Sequence, residues 1–328
     1  MTIAAVRARP ALGVAMVLLS GALFAVNGTV SKLVMQAGIT APQLTALRAT
    51  SAALVLLALC LALRPGARRL AVTRREIPML VAYGLAGFFL VPLLYFVAIS
   101  RLPVGIGLLF EYTAPVFVAL WARFGQRQPV RSRLWGGLVL CLAGLACVAE
   151  VWGELRLDAL GVAAGLGAAV LLAVYYVLGA SGVRRRDPLS LTAYAFAVSA
   201  AAGLLLRAAT AGLGGWEPLA GSVRGIPVAA LYGYLVLLGT VAPYLLVVAA
   251  LRHLPATSVG IIGMVEPVLA AVVAWITLGA GEALNAAQLG GGLLVLLGVG
   301  LAETARVAPA EPEDPVAPAP DAIVPTGR

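Results

Sequence analysis

Apolar residues run along this chain in long blocks, broken by short clusters of charge and turn residues. Ten blocks stand out, at roughly 11–35, 41–63, 77–100, 104–123, 134–152, 159–180, 189–209, 226–251, 256–279 and 285–302. Most are close to the ~20 residues that a helix needs to cross a hydrocarbon core of ~30 Å. A lipid-exposed backbone must close its own hydrogen bonds, so each block is predicted to be a helix. The pattern therefore describes an all-α integral membrane protein with ten transmembrane helices.

The blocks are written twice. Ile77-Pro78 and Tyr83-Gly84 return as Ile226-Pro227 and Tyr232-Gly233. Leu102-Pro103 returns as Leu254-Pro255, and Pro115 as Pro267. Gly136, Gly137 and Gly144 return as Gly290, Gly291 and Gly298. The offset grows from 149 to 152 to 154, as loop insertions would make it. Five spans per copy is an odd number, so the second copy must enter the membrane from the opposite side. The chain divides into a cytoplasmic N-terminus (1–10), two inverted five-helix repeats (11–152 and 153–302) and a tail (303–328). Inverted repeats are the architecture of secondary transporters, which hold substrate near the midplane between two pseudo-symmetric halves.

Composition agrees with lipid as the solvent. Hydrophobic residues make up 62% of the chain and charged residues 11%, and the mean hydropathy is +1.00. Soluble domains are about 45–50% apolar and about 25% charged. A formal net charge of +9 could suggest nucleic acid, but the placement of the charges rejects that. Arg7 and Arg9 precede the first span, and Arg64, Arg68, Arg69, Arg74 and Arg75 follow the second. Further clusters follow the fourth span (Arg123, Arg127, Arg131, Arg133) and the sixth (Arg184, Arg185, Arg186). Alternate loops carry far fewer. This is the positive-inside pattern, with both termini cytoplasmic. Lipid is the large partner, and an uncleaved first helix is favoured over a signal peptide. Cys60, Cys141 and Cys147 lie in apolar spans and fit neither a disulfide framework nor a zinc spacing. The Pro/Ala-rich, acidic tail has no periodicity and reads as disordered. Arginine outnumbers lysine 22 to 1 among the basic residues, and alanine is abundant, which suggests a GC-rich bacterial genome.

Polar side chains inside spans carry the candidate chemistry, because a charge at a helix centre costs ~2.5–3.5 kcal/mol or more to insert. Arg48 lies in the second span, Glu111 in the fourth and Glu266 in the ninth; Asn27 and Lys32 lie toward the outer end of the first. Together they suggest a cavity with a basic and an acidic pole, against the blander reading of buried ion pairs or snorkelling stems. Tyr95, Tyr112, Tyr175, Tyr176 and Tyr244 are polar–aromatic candidates for its wall, although such tyrosines more often only pack. Pro92 and Pro243 occupy matched helices, as do Pro115 and Pro267. A mid-helix proline frees the carbonyl four residues earlier, and matched helix breaks are the sequence pointer to a transport site. Small residues at helical spacing (Gly260, Gly263, Pro267, Ala270) let neighbouring helices approach closely.

The chain has no GxxxxGK[ST], HExxH or GxSxG, so no nucleotide, metal or cofactor is expected. An integral-membrane enzyme on lipid or prenyl substrates would need clustered His, Asp or Ser at one depth. A non-transporting scaffold would need neither the matched prolines nor the buried charges.

On the lysine closing Asn27-Gly28-Thr29-Val30-Ser31-Lys32, the arginine of LTALRAT, and the segments EYTAPVFVAL and MVEPVLAAVVAWITLG followed by Glu282, the chain resembles the EamA type of the drug/metabolite transporter superfamily. It departs where a tryptophan is often found near Phe24, and where the usual acidic end of the fourth span is replaced by Arg123-Phe124-Gly125-Gln126-Arg127. The resemblance implies export of a small metabolite (an amino acid derivative, a nucleobase-like compound or a drug) by exchange with protons, in a bacterial cytoplasmic membrane. A homodimer is compatible with it. Glu266 and Glu111 are then the proton-coupling candidates. Arg48 and Lys32 are candidates for substrate anions or gating pairs. Asn27, Tyr112, Pro115, Tyr175, Tyr176 and Pro267 would line the pathway.

Overall fold

The computed structural model describes residues 8–63, 71–102, 104–152, 158–211, 219–278 and 285–305. Some side chains inside these segments, that of Lys32 among them, are outside the description, as are Glu282 and the tail from 306. The helices form ten columns among the described residues. α1 is Pro10–Gln36 and α2 is Ala41–Leu63. α3 is Ile77–Arg101. α4 is built from Val104–Glu111, Ala114–Leu120 and Trp121–Gly125. α5 is Ser132–Val148, α6 Ala159–Gly182 and α7 Pro188–Ala211. α8 is Val228–Ala250. α9 is built from Ala256–Gly263 and Glu266–Leu278, and α10 is Ala286–Glu303. Eight of the ten are long and apolar enough to cross a membrane; α5 and the apolar part of α9 are shorter.

The helices pack with the symmetry of the repeat. α1 lies against α8 and α9, and its counterpart α6 lies against α3 and α4. The counterparts α2 and α7 pack on each other, as do α5 and α10. At the α5–α10 contact a Cβ on Gly144 would stand 2.5 Å from the Gly291 carbonyl oxygen, and a Cβ on Gly298 would stand 2.7 Å from that of Gly137. Gly137 and Gly291 are repeat partners, and so are Gly144 and Gly298. Each therefore meets the partner of the other, in opposite chain order. This crosswise, antiparallel pairing is what a two-fold axis perpendicular to the helices produces. Close backbone contact stands in for a hydrophobic driving force that lipid does not supply. Gly144→Leu should therefore force the pair apart and cost about 1–3 kcal/mol, seen as a lower melting temperature of the detergent-solubilised protein. Leu289→Ala, on the lipid-facing side of α10, should leave that temperature unchanged.

The proline positions coincide with local departures from α geometry. Just before Pro92 and Pro243 the backbone loosens into π-type turns at Gly84–Leu90 and Leu237–Val241. Pro92 cannot donate to the Phe88 carbonyl, and the Ser199 hydroxyl of α7 donates to it instead at 2.8 Å. Before Pro115 and Pro267 the helices tighten. Thr113 N–H reaches back only to the Phe110 oxygen (3.1 Å), and Met264 N–H only to the Ile261 oxygen (3.1 Å). The distortions thus fall in both copies at matched places, which is where backbone and side chains can turn toward a ligand.

One boundary differs from the sequence reading. Ile226-Pro227 does not open α8. It forms the second strand of a two-residue hairpin, Ser222–Val223 paired with Ile226–Pro227. Arg224 and Gly225 both adopt positive φ, 52° and 79°, the signature of a tight turn between paired strands. The Ile-Pro pair of the first copy, Ile77-Pro78, does start its helix. The difference arises because the Arg-Gly dipeptide gives the second copy a turn that the first lacks.

Candidate functional site

A cavity of about 780 Å³ lies between the two copies, within the ~300–1,000 Å³ range of ligand pockets. One end reaches Arg224, an exposed residue of the hairpin turn, so this is the open end. The other end stops at Gly87, Tyr175, Tyr176 and Tyr244. Below that floor is a packed aromatic cluster. Tyr83 stacks on Tyr175 with ring centroids 5.4 Å apart, and Phe88 meets Phe196 edge-on at 4.7 Å and Tyr244 at 4.8 Å. Tyr83, Phe88 and Phe196 are essentially inaccessible. Gly87 leaves room for the Tyr175 ring, since a Cβ there would lie 2.3 Å from it.

Three ionisable side chains expected from sequence meet in this cavity: Arg48, Glu111 and Glu266. Arg48 follows the start of α2 by seven residues and Glu111 follows the start of α4 by seven. At 1.5 Å per residue each is about 10 Å in from the open end. Glu266 comes from the opposite direction, opening the second half of α9. Tyr112 donates its hydroxyl proton to Glu266 Oε2 at 2.5 Å, tying the break in α4 to the break in α9. Glu111 and Glu266 are within electrostatic reach of each other. Both lie deep in the bundle yet are partly accessible, because what they face is the cavity.

Arg48 is buried, at 4% exposure. Its guanidinium lies over the Phe96 ring, 5.7 Å from the centroid. Tyr232 and Tyr244 are its electrostatic neighbours. Tyr232 is held nearby by Ser51 (2.6 Å between hydroxyl oxygens) and by donating to the Leu47 carbonyl at 3.0 Å. No carboxylate lies within ion-pair distance of Arg48 among the described residues. Tyr244 lies within electrostatic reach of Arg48 and of both glutamates.

Asn27, Tyr112, Tyr175, Tyr176 and Pro267 line the cavity. Pro115 is not among its lining residues; it faces Gly260 of α9, where an added Cβ would touch it at 3.4 Å. Gly260 and Gly263 also make room for the Tyr176 ring and hydroxyl, so the small-residue stripe of α9 seats cavity tyrosines rather than a bare helix. Lys32 is on α1, with its side chain outside the description. Sequence reasoning missed Phe24, Phe96 and Gly87. Phe96 carried no distinguishing signal beside the other aromatics of α3.

This arrangement, a central cavity between two matched halves with charged and aromatic walls, is that of a membrane transporter. The family model for EamA-like transporters matches residues 11–149 and again 159–304, and the chain belongs to that family. The threonine/homoserine exporter RhtA of Salmonella typhimurium LT2 is 32% identical over 254 residues, covering 76% of this chain and 77% of that one. Its counterpart in Escherichia coli K12 is 31% identical with the same coverage. An uncharacterized transporter of Archaeoglobus fulgidus is 28% identical over 291 residues, covering 88% of this chain and 94% of its own. A crystal structure covering 90% of this chain and 98% of its own superposes with a TM-score of 0.72 at 20% identity, a likeness of fold.

Proposed function

We propose that this protein is a ten-span secondary transporter, built from two inverted repeats, that exports a small metabolite from a bacterial cell by proton-coupled alternating access. The reading rests above all on the cavity that brings Arg48, Glu111 and Glu266 together where the two copies meet. Ionisable groups buried in a bundle interior mark substrate and proton pathways. The crosswise α5–α10 contact supports the inversion, and the matched distortions of α3, α4, α8 and α9 support a site between the halves. The named exporters among its relatives support the outward direction and a ligand of amino-acid size.

Glu266 is the residue assigned to the proton. An ionised carboxylate in a low-dielectric interior is costly without a cation beside it, and none lies within ion-pair distance among the described residues. Its charge state therefore depends on what enters the cavity. The coupling test is uptake of metabolites into proteoliposomes with and without an imposed pH gradient. Gradient-dependent accumulation is the expected result, and accumulation indifferent to the gradient would remove the proton from the scheme.

Topology has its own test. In a variant with Cys60, Cys141 and Cys147 replaced, single cysteines at Ser132 and Arg185 should react with a membrane-impermeant maleimide only from the cytoplasmic face. A cysteine at Ser222 should react only from outside. Labelling of Ser132 and Ser222 from one face would contradict ten spans with cytoplasmic termini.

A further inference from the structure

The two buried arginines among the described residues, Arg48 and Arg186, are treated in opposite ways. Arg186, at 7% exposure, has protein partners. It donates to Glu76 at 3.0 Å and to the Ala71 carbonyl at 2.9 Å, and stacks over Tyr194 at 5.1 Å. Arg48 is equally buried, yet no hydrogen-bond acceptor is found for its guanidinium among the described residues. A buried guanidinium left without acceptors costs several kcal/mol, and arginine cannot escape by losing its proton. Its central carbon lies over the Phe96 ring, 5.7 Å from the centroid. Its five N–H donors are left for the cavity that Arg48 lines. A planar fork held on an aromatic ring is the donor set that matches a carboxylate with two parallel hydrogen bonds.

The opposite wall has the reverse chemistry. Glu111 and Glu266 offer acceptor oxygens and negative charge, and Tyr112, Tyr176 and Tyr244 line the same wall. Carboxylates and aromatic rings together suit an ammonium group. The two poles do not neutralise each other by direct contact, although both line one cavity of about 780 Å³. A molecule bridging them must bring one charge of each sign.

Resting on the transport reading above, we propose that the transported molecule is a zwitterion of the α-amino acid type, its carboxylate seated on the edge of Arg48 and its ammonium turned toward Glu111 and Glu266. Neither a simple cation nor a simple anion would satisfy both poles. Arg224 at the open end adds only a diffuse positive field there.

The experiment measures binding to purified full-length protein by calorimetry. The probes are L-threonine, L-homoserine and L-leucine, each as free amino acid, amide and N-acetyl acid. The free amino acids should bind at least about tenfold more tightly than either blocked form, the discrimination expected of a charge-assisted pair. In Arg48→Gln the advantage over the amide should fall to within about twofold, whereas Arg48→Lys should keep part of it. In Glu111→Gln and Glu266→Gln the advantage over the N-acetyl form should shrink while that over the amide persists. Amides binding as well as free acids, an unchanged advantage in Arg48→Gln, or no binding by any amino acid would each overturn the proposal. Counterflow in proteoliposomes is measured in parallel. Intact discrimination without any flux would leave the zwitterion site standing and refute transport.

Discussion

Glu266→Gln should abolish pH-gradient-driven accumulation while leaving the protein folded and inserted. Glutamine keeps the shape of the side chain and still accepts the 2.5 Å hydrogen bond from Tyr112. It cannot take up or release a proton. If proton and substrate are linked through this carboxyl, the coupling free energy of a typical linked pair is about 1–3 kcal/mol, and gradient-driven accumulation should fall by roughly 5–150-fold. Exchange of labelled for unlabelled substrate need not change the protonation state and should persist. Both activities are measured in the same vesicles, which separates lost coupling from lost binding. Full gradient-driven transport in Glu266→Gln would remove it from the coupling role. Glu111, which faces the same cavity, would be tested next.

Much of this is legible in the sequence, and for a physical reason. In lipid a buried charge or a mid-helix proline is expensive, so the few that remain mark places where something compensates them. Arg48, Glu111 and Glu266 stood out on that ground, and the fold brings all three to one cavity. Matched prolines gave the sites of helix distortion, although not its form. Pro92 and Pro243 follow loosened turns, whereas Pro115 and Pro267 follow tightened ones. Sequence could not give which face of a helix a proline presents, so Pro115 was placed on the pathway and packs against Gly260 instead. Nor could it distinguish Phe96 from the other aromatics of α3, since stacking under Arg48 is a relation between two helices distant in sequence. The start of α8 was missed because Arg224-Gly225 makes a turn that apolar periodicity does not register.

Breaking the pair between Arg186 and Glu76 should shift the protein toward a state open at the end of the cavity that is now closed. That end is sealed in two layers: the aromatic cluster of Tyr83, Phe88, Tyr175 and Phe196, and beyond it a polar junction. In the junction Arg186, from the α6–α7 connection, bonds Glu76 and the Ala71 carbonyl just ahead of α3, and Arg252 at the end of α8 donates to the Arg186 carbonyl at 3.4 Å. Glu76 and Ala71 belong to the first copy and Arg186 and Arg252 to the second, so the bonds of Arg186 to Glu76 and Ala71 must part if the two copies separate at the closed end. Arg186→Ala removes bonds that hold the closed arrangement, and a bias of about 1–3 kcal/mol would move the populations by roughly 5–150-fold. The reporter is a single cysteine at Leu254, buried in this structure, in a background without native cysteines. Its maleimide reaction in inside-out vesicles should speed up by a factor in that range in Arg186→Ala, and less in Arg186→Lys. The pH dependence has a defined sign. The Thr73 backbone N–H, followed by Arg186, holds the Glu76 carboxyl below its usual value. A carboxylate whose value is depressed in the closed state stabilises that state above the ordinary carboxylate range, and the stabilisation is lost as pH falls through the depressed value. Divided by the rate of an exposed reference thiol at the same pH, which removes the change in thiolate fraction, the reaction rate in the unmutated junction should therefore be flat between about pH 8 and pH 5.5 and rise only in more acidic buffer. In Glu76→Gln that acid rise should disappear. A Leu254 cysteine that reacts equally in all variants and at every pH would show that the aromatic layer alone keeps this end shut.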